Sequence, residues 1–142
     1  MEVKINLNHF AILAASFVNF LLAFVWYGPL FGETWAIGAE VSNPETPPIW
    51  ATITSFIVGV MSSYGFAIIL MYSKKFGVAD GLKIGALVSL AFLLQVIIGP
   101  WLFSGRFLLF AVNMPYFTLT ALISGLIIGK WQKPHLNINP KS

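Results

Sequence analysis

The chain has 142 residues, 58% of them hydrophobic and only 9% charged, with a formal net charge of +3 and no cysteine. Soluble domains carry roughly 25% charged residues, so water is excluded as the solvent for most of this surface. The missing cysteines exclude disulfides, thiol catalysis and thiolate metal sites, and the scattered cations form no nucleic-acid-binding stripe.

Four stretches are long and apolar enough to cross a hydrocarbon core of about 30 Å, which takes about 20 helical residues. They lie at about 8–27, 49–72, 80–103 and 107–131. The expected fold class is therefore all-α, an integral membrane bundle of four transmembrane helices in a single membrane domain.

The first stretch ends in Trp26-Tyr27-Gly28-Pro29 without a small-x-small cleavage site. It reads as a retained helix rather than a secretory signal. Asn19 sits near its middle. The connection 28–48 is too long for a simple turn. Trp35-Ala36-Ile37 is expected to lie as a short interfacial helix, and Asn43-Pro44 and Pro47-Pro48 to lead back as extended chain. This connection reads as a packed interfacial loop, with a lid as the functional alternative.

The second stretch carries the longest small-residue ridge, Ala51, Ser55, Gly59, Ser63 and Ala67 at four-residue spacing. Such ridges let backbones approach in lipid. This one is expected to face the bundle centre or a second subunit. Shorter ridges occur at Ala11, Ala15, Asn19 and Ala23, at Gly81, Gly85 and Ser89, and at Ala121, Gly125 and Gly129. Gly59, Ser63, Gly85, Gly125 and Gly129 are the candidate packing or interface residues.

The third stretch places Gln95 in its outer part and closes in Gly99-Pro100, a short echo of Gly28-Pro29. Two hairpins repeated in one orientation would produce that echo. The fourth carries Asn113, Tyr116, Thr118 and Thr120 around Pro115. A proline inside a span frees a backbone carbonyl that neighbours must satisfy. Asn19, Ser55, Gln95, Asn113 and Tyr116 are the candidate ligand-binding residues, expected to line an outward-facing polar cavity. The simpler reading is interhelical hydrogen bonding, worth about 0.6 kcal/mol per contact.

Arg106 opens the fourth helix, where a positive charge opposes the macrodipole. It is expected to find a lipid phosphate or one of Glu33, Glu40 and Glu45. An outer-mouth charge acting on anions is the functional alternative. Lys4, Lys74, Lys75, Lys83, Lys130, Lys133 and Lys141 all fall on the other side of the four spans. Cytoplasmic loops collect Lys and Arg, so both termini are expected inside. Trp26, Trp50, Trp101, Tyr72 and Trp131 fall at span ends, as an aromatic belt requires.

No acid or base lies mid-span, which speaks against a proton relay. No paired carboxylate, Ser-His-Asp set or phosphate loop is present. His9 and His135 read as solvated interface residues, and the three glutamates match no metal motif. Catalytic residues, cofactors and metals are not expected, and an enzyme is the least favoured class.

The element Trp26-Tyr27-Gly28-Pro29-Leu30-Phe31-Gly32 with Trp35 resembles the DUF1761 family of small bacterial membrane proteins. Asp80-Gly81-Leu82, the Asn113-x-x-Tyr116 pair and Gly129-Lys130-Trp131 are similar to later family elements. The likeness runs over nearly the whole chain. The loop prolines Pro44, Pro47 and Pro48 depart from the pattern. The resemblance implies a multi-pass protein of a bacterial inner membrane and assigns no activity. Function is expected to be that of an oligomeric transporter or channel for a small solute. The alternatives are a binding or scaffold subunit for another membrane protein and a lipid or ligand sensor. The expected partners are the lipid bilayer and a second copy or another membrane protein, not nucleic acid.

Overall fold

A computed structural model describes residues 7–41, 47–74 and 76–132. Lys4, the Asn43-Pro44 step, Glu45, Lys75, Lys133, His135 and Lys141 lie outside the described residues. Helix α1 (His9–Val25) starts where the Asn8 side chain accepts from the Ala11 N–H. That bond satisfies one of the helix's orphan donors. The helix breaks in the segment Trp26–Leu30, because Gly28 leaves helical dihedrals (φ −96°, ψ −105°) just ahead of Pro29. A short helix α2 (Gly32–Gly38) follows.

Helix α3 (Ile49–Ser73) begins after Pro48 and stops at Lys74, whose φ of 53° is left-handed. Helix α4 (Val78–Val88) passes through a π-turn at Ser89–Leu93 into helix α5 (Leu94–Ser104). Gly105 ends α5 at φ 68°, a region that costs glycine nothing. Helix α6 (Phe107–Trp131) follows.

Four spans, His9–Leu30, Ile49–Ser73, Val78–Ser104 and Phe107–Trp131, are long and apolar enough to cross a membrane. The protein is an all-α bundle of the multi-pass type. Asn8 Nδ2 donates to Trp131 O at 3.0 Å, so the first and last spans start and finish together. That end is called the near side here. The opposite end, with Trp26–Glu40 and Ser104–Phe107, is the far side.

Helix α1 packs between α3 and α6, and α4 packs against α6. Helices α4 and α6 approach closely because glycines face each other. A Cβ on Gly81 would run into the Gly125 carbonyl, and one on Gly125 into that of Gly81. At Gly85 it would stand 2.6 Å from Ala121 O, and at Gly129 2.6 Å from Gly77 O. The Gly77 N–H donates to Gly129 O at 2.8 Å. This uses a carbonyl that the last turn of a helix leaves unpaired.

The apolar core is formed by Ile12, Ala15, Phe66, Ala67, Leu70 and Ile128, all in the near half. The long ridge of the second span is only partly turned inward. Ser63 and Ala67 are buried, and Ser63 Oγ donates to Gly59 O. Ser55 is exposed, and nothing lies within 4 Å of a Cβ placed on Gly59. A four-residue spacing drifts around a 3.6-residue helix, so a straight ridge of five residues cannot keep one face inward. The two Gly-Pro elements also differ. Pro29 follows a break, whereas Pro100 lies inside α5 and the helix continues to Ser104.

Candidate functional site

The break at Gly28 turns Trp26, Tyr27, Phe31 and Trp35 toward α6 on the far side. Trp26 Nε1 donates to Val112 O at 3.1 Å, and Tyr27 Oη donates to Asn113 Oδ1 at 2.9 Å. The Trp26 and Phe31 rings stand 4.6 Å apart, and Tyr27 meets Tyr116 edge-on at 4.8 Å. Trp35 closes on Tyr27 at 6.0 Å. These separations are those of packed aromatic pairs, so the cluster is filled by its own rings. It lies where Pro115 removes a backbone donor from α6. The polar tips of Trp26 and Tyr27 bond to α6 just ahead of that proline.

Helix α2 lies across the start of α6. A Cβ on Gly38 would stand 2.6 Å from Leu109 N, so only glycine permits this approach. The helix ends in a Schellman turn. The Val41 N–H bonds Ala36 O at 2.9 Å, and the Glu40 N–H bonds Ile37 O at 3.1 Å. This places Glu40 at φ 58°, a position usually given to glycine. The turn aims Glu40 at Arg106, and the two bond at 2.8 Å. Their side chains remain 37% exposed at Arg106 and 66% at Glu40, so the pair contributes about 0–1 kcal/mol. Of the partners expected for Arg106, the protein supplies Glu40. Beside the pair is an open cleft of about 210 Å³, lined by Ile37, Gly38, Glu40, Ser104, Arg106 and Phe107.

A second polar group lies at mid-span. Asn19 Nδ2 donates to Ser124 Oγ at 2.8 Å and reaches Thr120 O at 3.4 Å. Ser89 Oγ and Thr118 Oγ1 bond at 2.8 Å where the π-turn starts. The buried Asn19 Oδ1 has no partner among the described residues. Either amide orientation leaves one end of Asn19 unpaired, since both known neighbours lie on the same side.

The five candidate ligand-binding residues therefore do not meet in one cavity. Asn113 and Tyr116 belong to the far-side cluster and Asn19 to the mid-span layer. Ser55 and Gln95 are exposed on the second and third spans. Gly85, Gly125 and Gly129 lie in the α4–α6 contact, Ser63 is buried, and Gly59 stands open. His9 is exposed, as expected, yet its Nδ1 lies 2.8 Å from Tyr64 Oη. Sequence reasoning treated Trp26 as a belt residue and Tyr27 as part of the element closing the first stretch, and paired neither with α6. The signal was available: aromatic residues with polar tips directly before a helix-breaking Gly-Pro step.

A family described as a protein of unknown function, DUF1761, matches residues 10–129. The chain belongs to the DUF1761 family. The match takes in the four spans apart from His9, Lys130 and Trp131, and includes the Trp26–Trp35 element and its contacts on α6. No curated protein and no solved structure matches the chain. Membership of DUF1761 thus leaves the activity of the far-side cluster to physical argument.

Proposed function

We propose that this DUF1761 protein is a non-enzymatic binding subunit that associates sideways, within the bilayer, with another membrane-embedded polypeptide. One observation carries this reading: the apolar core lies on the near side, whereas on the far side neither α3 nor α5 has a buried residue. The buried residues of α3 begin at Ser63, and α5 has none. Apart from Phe56, which meets Phe20, and the side of α5 seated on α6, the far half of α3 and the outer face of α5 stand exposed among the described residues and can meet a partner. The near half, closed by Ile12, Phe66, Leu70 and Ile128, acts as the base that holds them.

A transporter or channel is the second reading. It draws on the mid-span layer, where Asn19 has an unpaired oxygen and the third span carries a π-turn. Transporters place binding sites near the midplane in irregular helices. Conduction through a single copy would require the near-side core to open, and Asn113 is already engaged by Tyr27. That weighs toward binding.

Photo-crosslinking in native membranes tests the proposal. A benzophenone side chain at Val58 on α3 or Phe92 on the third span should give protein adducts. One at Leu126, exposed in the near half of α6, should give mainly lipid adducts. Lipid adducts alone from all three positions would end the binding-subunit reading.

A further inference from the structure

Gln95 is an exposed amide inside a membrane span. The span Val78–Ser104 has 27 residues and centres near Ala91. Gln95 is one turn further on, about 6 Å along the axis. This is well within a hydrocarbon core of about 30 Å. With two methylenes, its side chain lacks the length that lets Lys and Arg snorkel to the surface. The described residues give its amide no hydrogen-bond partner. Lipid tails offer none either, and an amide left unpaired in an apolar medium is penalised by its lost hydration.

The face around Gln95 is shaped for a close neighbour. Ala91 and Gly99 flank it one turn before and one turn after, Ala91 is exposed, and nothing lies within 4 Å of a Cβ on Gly99. Only 6% of the most apolar window of this span is buried, against 22% in each of the first two. The α4 half of the span is held on α6 by glycines, so the α5 half is presented by a fixed base.

We propose that Ala91, Gln95 and Gly99 form the contact with a second copy of this chain, and that Gln95 of each copy bonds Gln95 of the other. The occupant follows from the chemistry of the amide. A carboxamide carries both donor and acceptor, so two of them related by a twofold axis exchange a reciprocal pair of N–H···O bonds. In a twofold contact the residues that lie on the axis meet their own equivalents, and Gln95 is placed there. The small neighbours allow the two backbones close enough for a short side chain to span the gap. This inference rests on the binding-subunit reading and names its first partner.

The chain has no cysteine, so single cysteines report the contact cleanly. Full-length protein in phosphatidylcholine vesicles carrying Ala91→Cys should form a disulfide-linked dimer on mild oxidation. The same protein with Val58→Cys should not. Gln95→Leu should weaken dimerisation about three- to twentyfold, the range of interhelical hydrogen bonds measured in membranes. Gln95→Asn should retain part of it. Fluorescence energy transfer at falling protein-to-lipid ratio reads the dissociation constant. Cross-linking insensitive to Gln95→Leu, or a monomer at every ratio, overturns the dimer. In those cases protein adducts from Val58 would still support a different partner, and their absence would remove both proposals.

Discussion

At the residue scale, Tyr27 and Asn113 carry the most specific contact on the far side. Their bond ties the broken end of the first span to α6 just before Pro115. Removing the Tyr27 hydroxyl leaves the Asn113 carbonyl without its donor, and removing the amide leaves the hydroxyl unpaired. Either loss exceeds the worth of the bond itself. A double-mutant cycle separates the two effects. Tyr27→Phe and Asn113→Leu, each measured by thermal unfolding in detergent, should show a coupling of about 0.6 kcal/mol, and no more than about 1.7. Zero coupling would mean that the two side chains act independently. If Asn113 instead lined a solute path, Asn113→Leu would abolish flux without changing stability.

At the element scale, the same residue type has opposite roles in two helices. Gly125 on α6 has the Gly81 carbonyl against it, whereas Gly59 on α3 has open space. Gly125→Ala should therefore destabilise the bundle by about 1–3 kcal/mol through overpacking. Gly59→Ala should be neutral or stabilising by up to about 1 kcal/mol, because alanine removes backbone entropy from a helix. The measurement is thermal unfolding of both variants in the same detergent, and equal effects would contradict the packing described here. If Gly59→Leu disrupts assembly while the monomer stays stable, α3 carries a second intermolecular contact. This contrast also marks what the sequence could convey. Hydropathy was sufficient to reveal the four spans, because every residue of a span reports the same solvent. Which ridge is packed was not legible. Gly81, Gly85 and Gly125 have the same spacing as Ser55 and Gly59, and only the neighbouring helix decides between them. The Glu40–Arg106 pair was legible in outline, since an Arg at a helix start calls for an anion. Its choice of Glu40 depended on the Schellman turn of α2, which no residue pattern announced because a glutamate stands where glycine is usual.

At the scale of the whole molecule, the distribution of charge and the packing point along the same axis. Lys74, Lys83 and Lys130 are on the near side, with the packed base, and Arg106 is on the far side, where Glu40 partly neutralises it. A bundle inserted with the near side in the cytoplasm keeps its lysines where insertion retains them. The reverse orientation would require translocating them all. The near side is therefore expected to be cytoplasmic, with the open half of the bundle in the opposite leaflet. Fluorescent protein fused at either end should be bright in intact cells, and alkaline phosphatase at either end should be inactive. Ser104→Cys, exposed beside Arg106, should react with a membrane-impermeant maleimide added from outside. Ser73→Cys, exposed at the end of α3, should react only after the membrane is permeabilised. Labelling in the opposite order would turn the molecule over and place the open half in the cytoplasmic leaflet. The partner would then have to be sought there. Labelling of both cysteines from outside would contradict the spanning arrangement on which the binding argument depends.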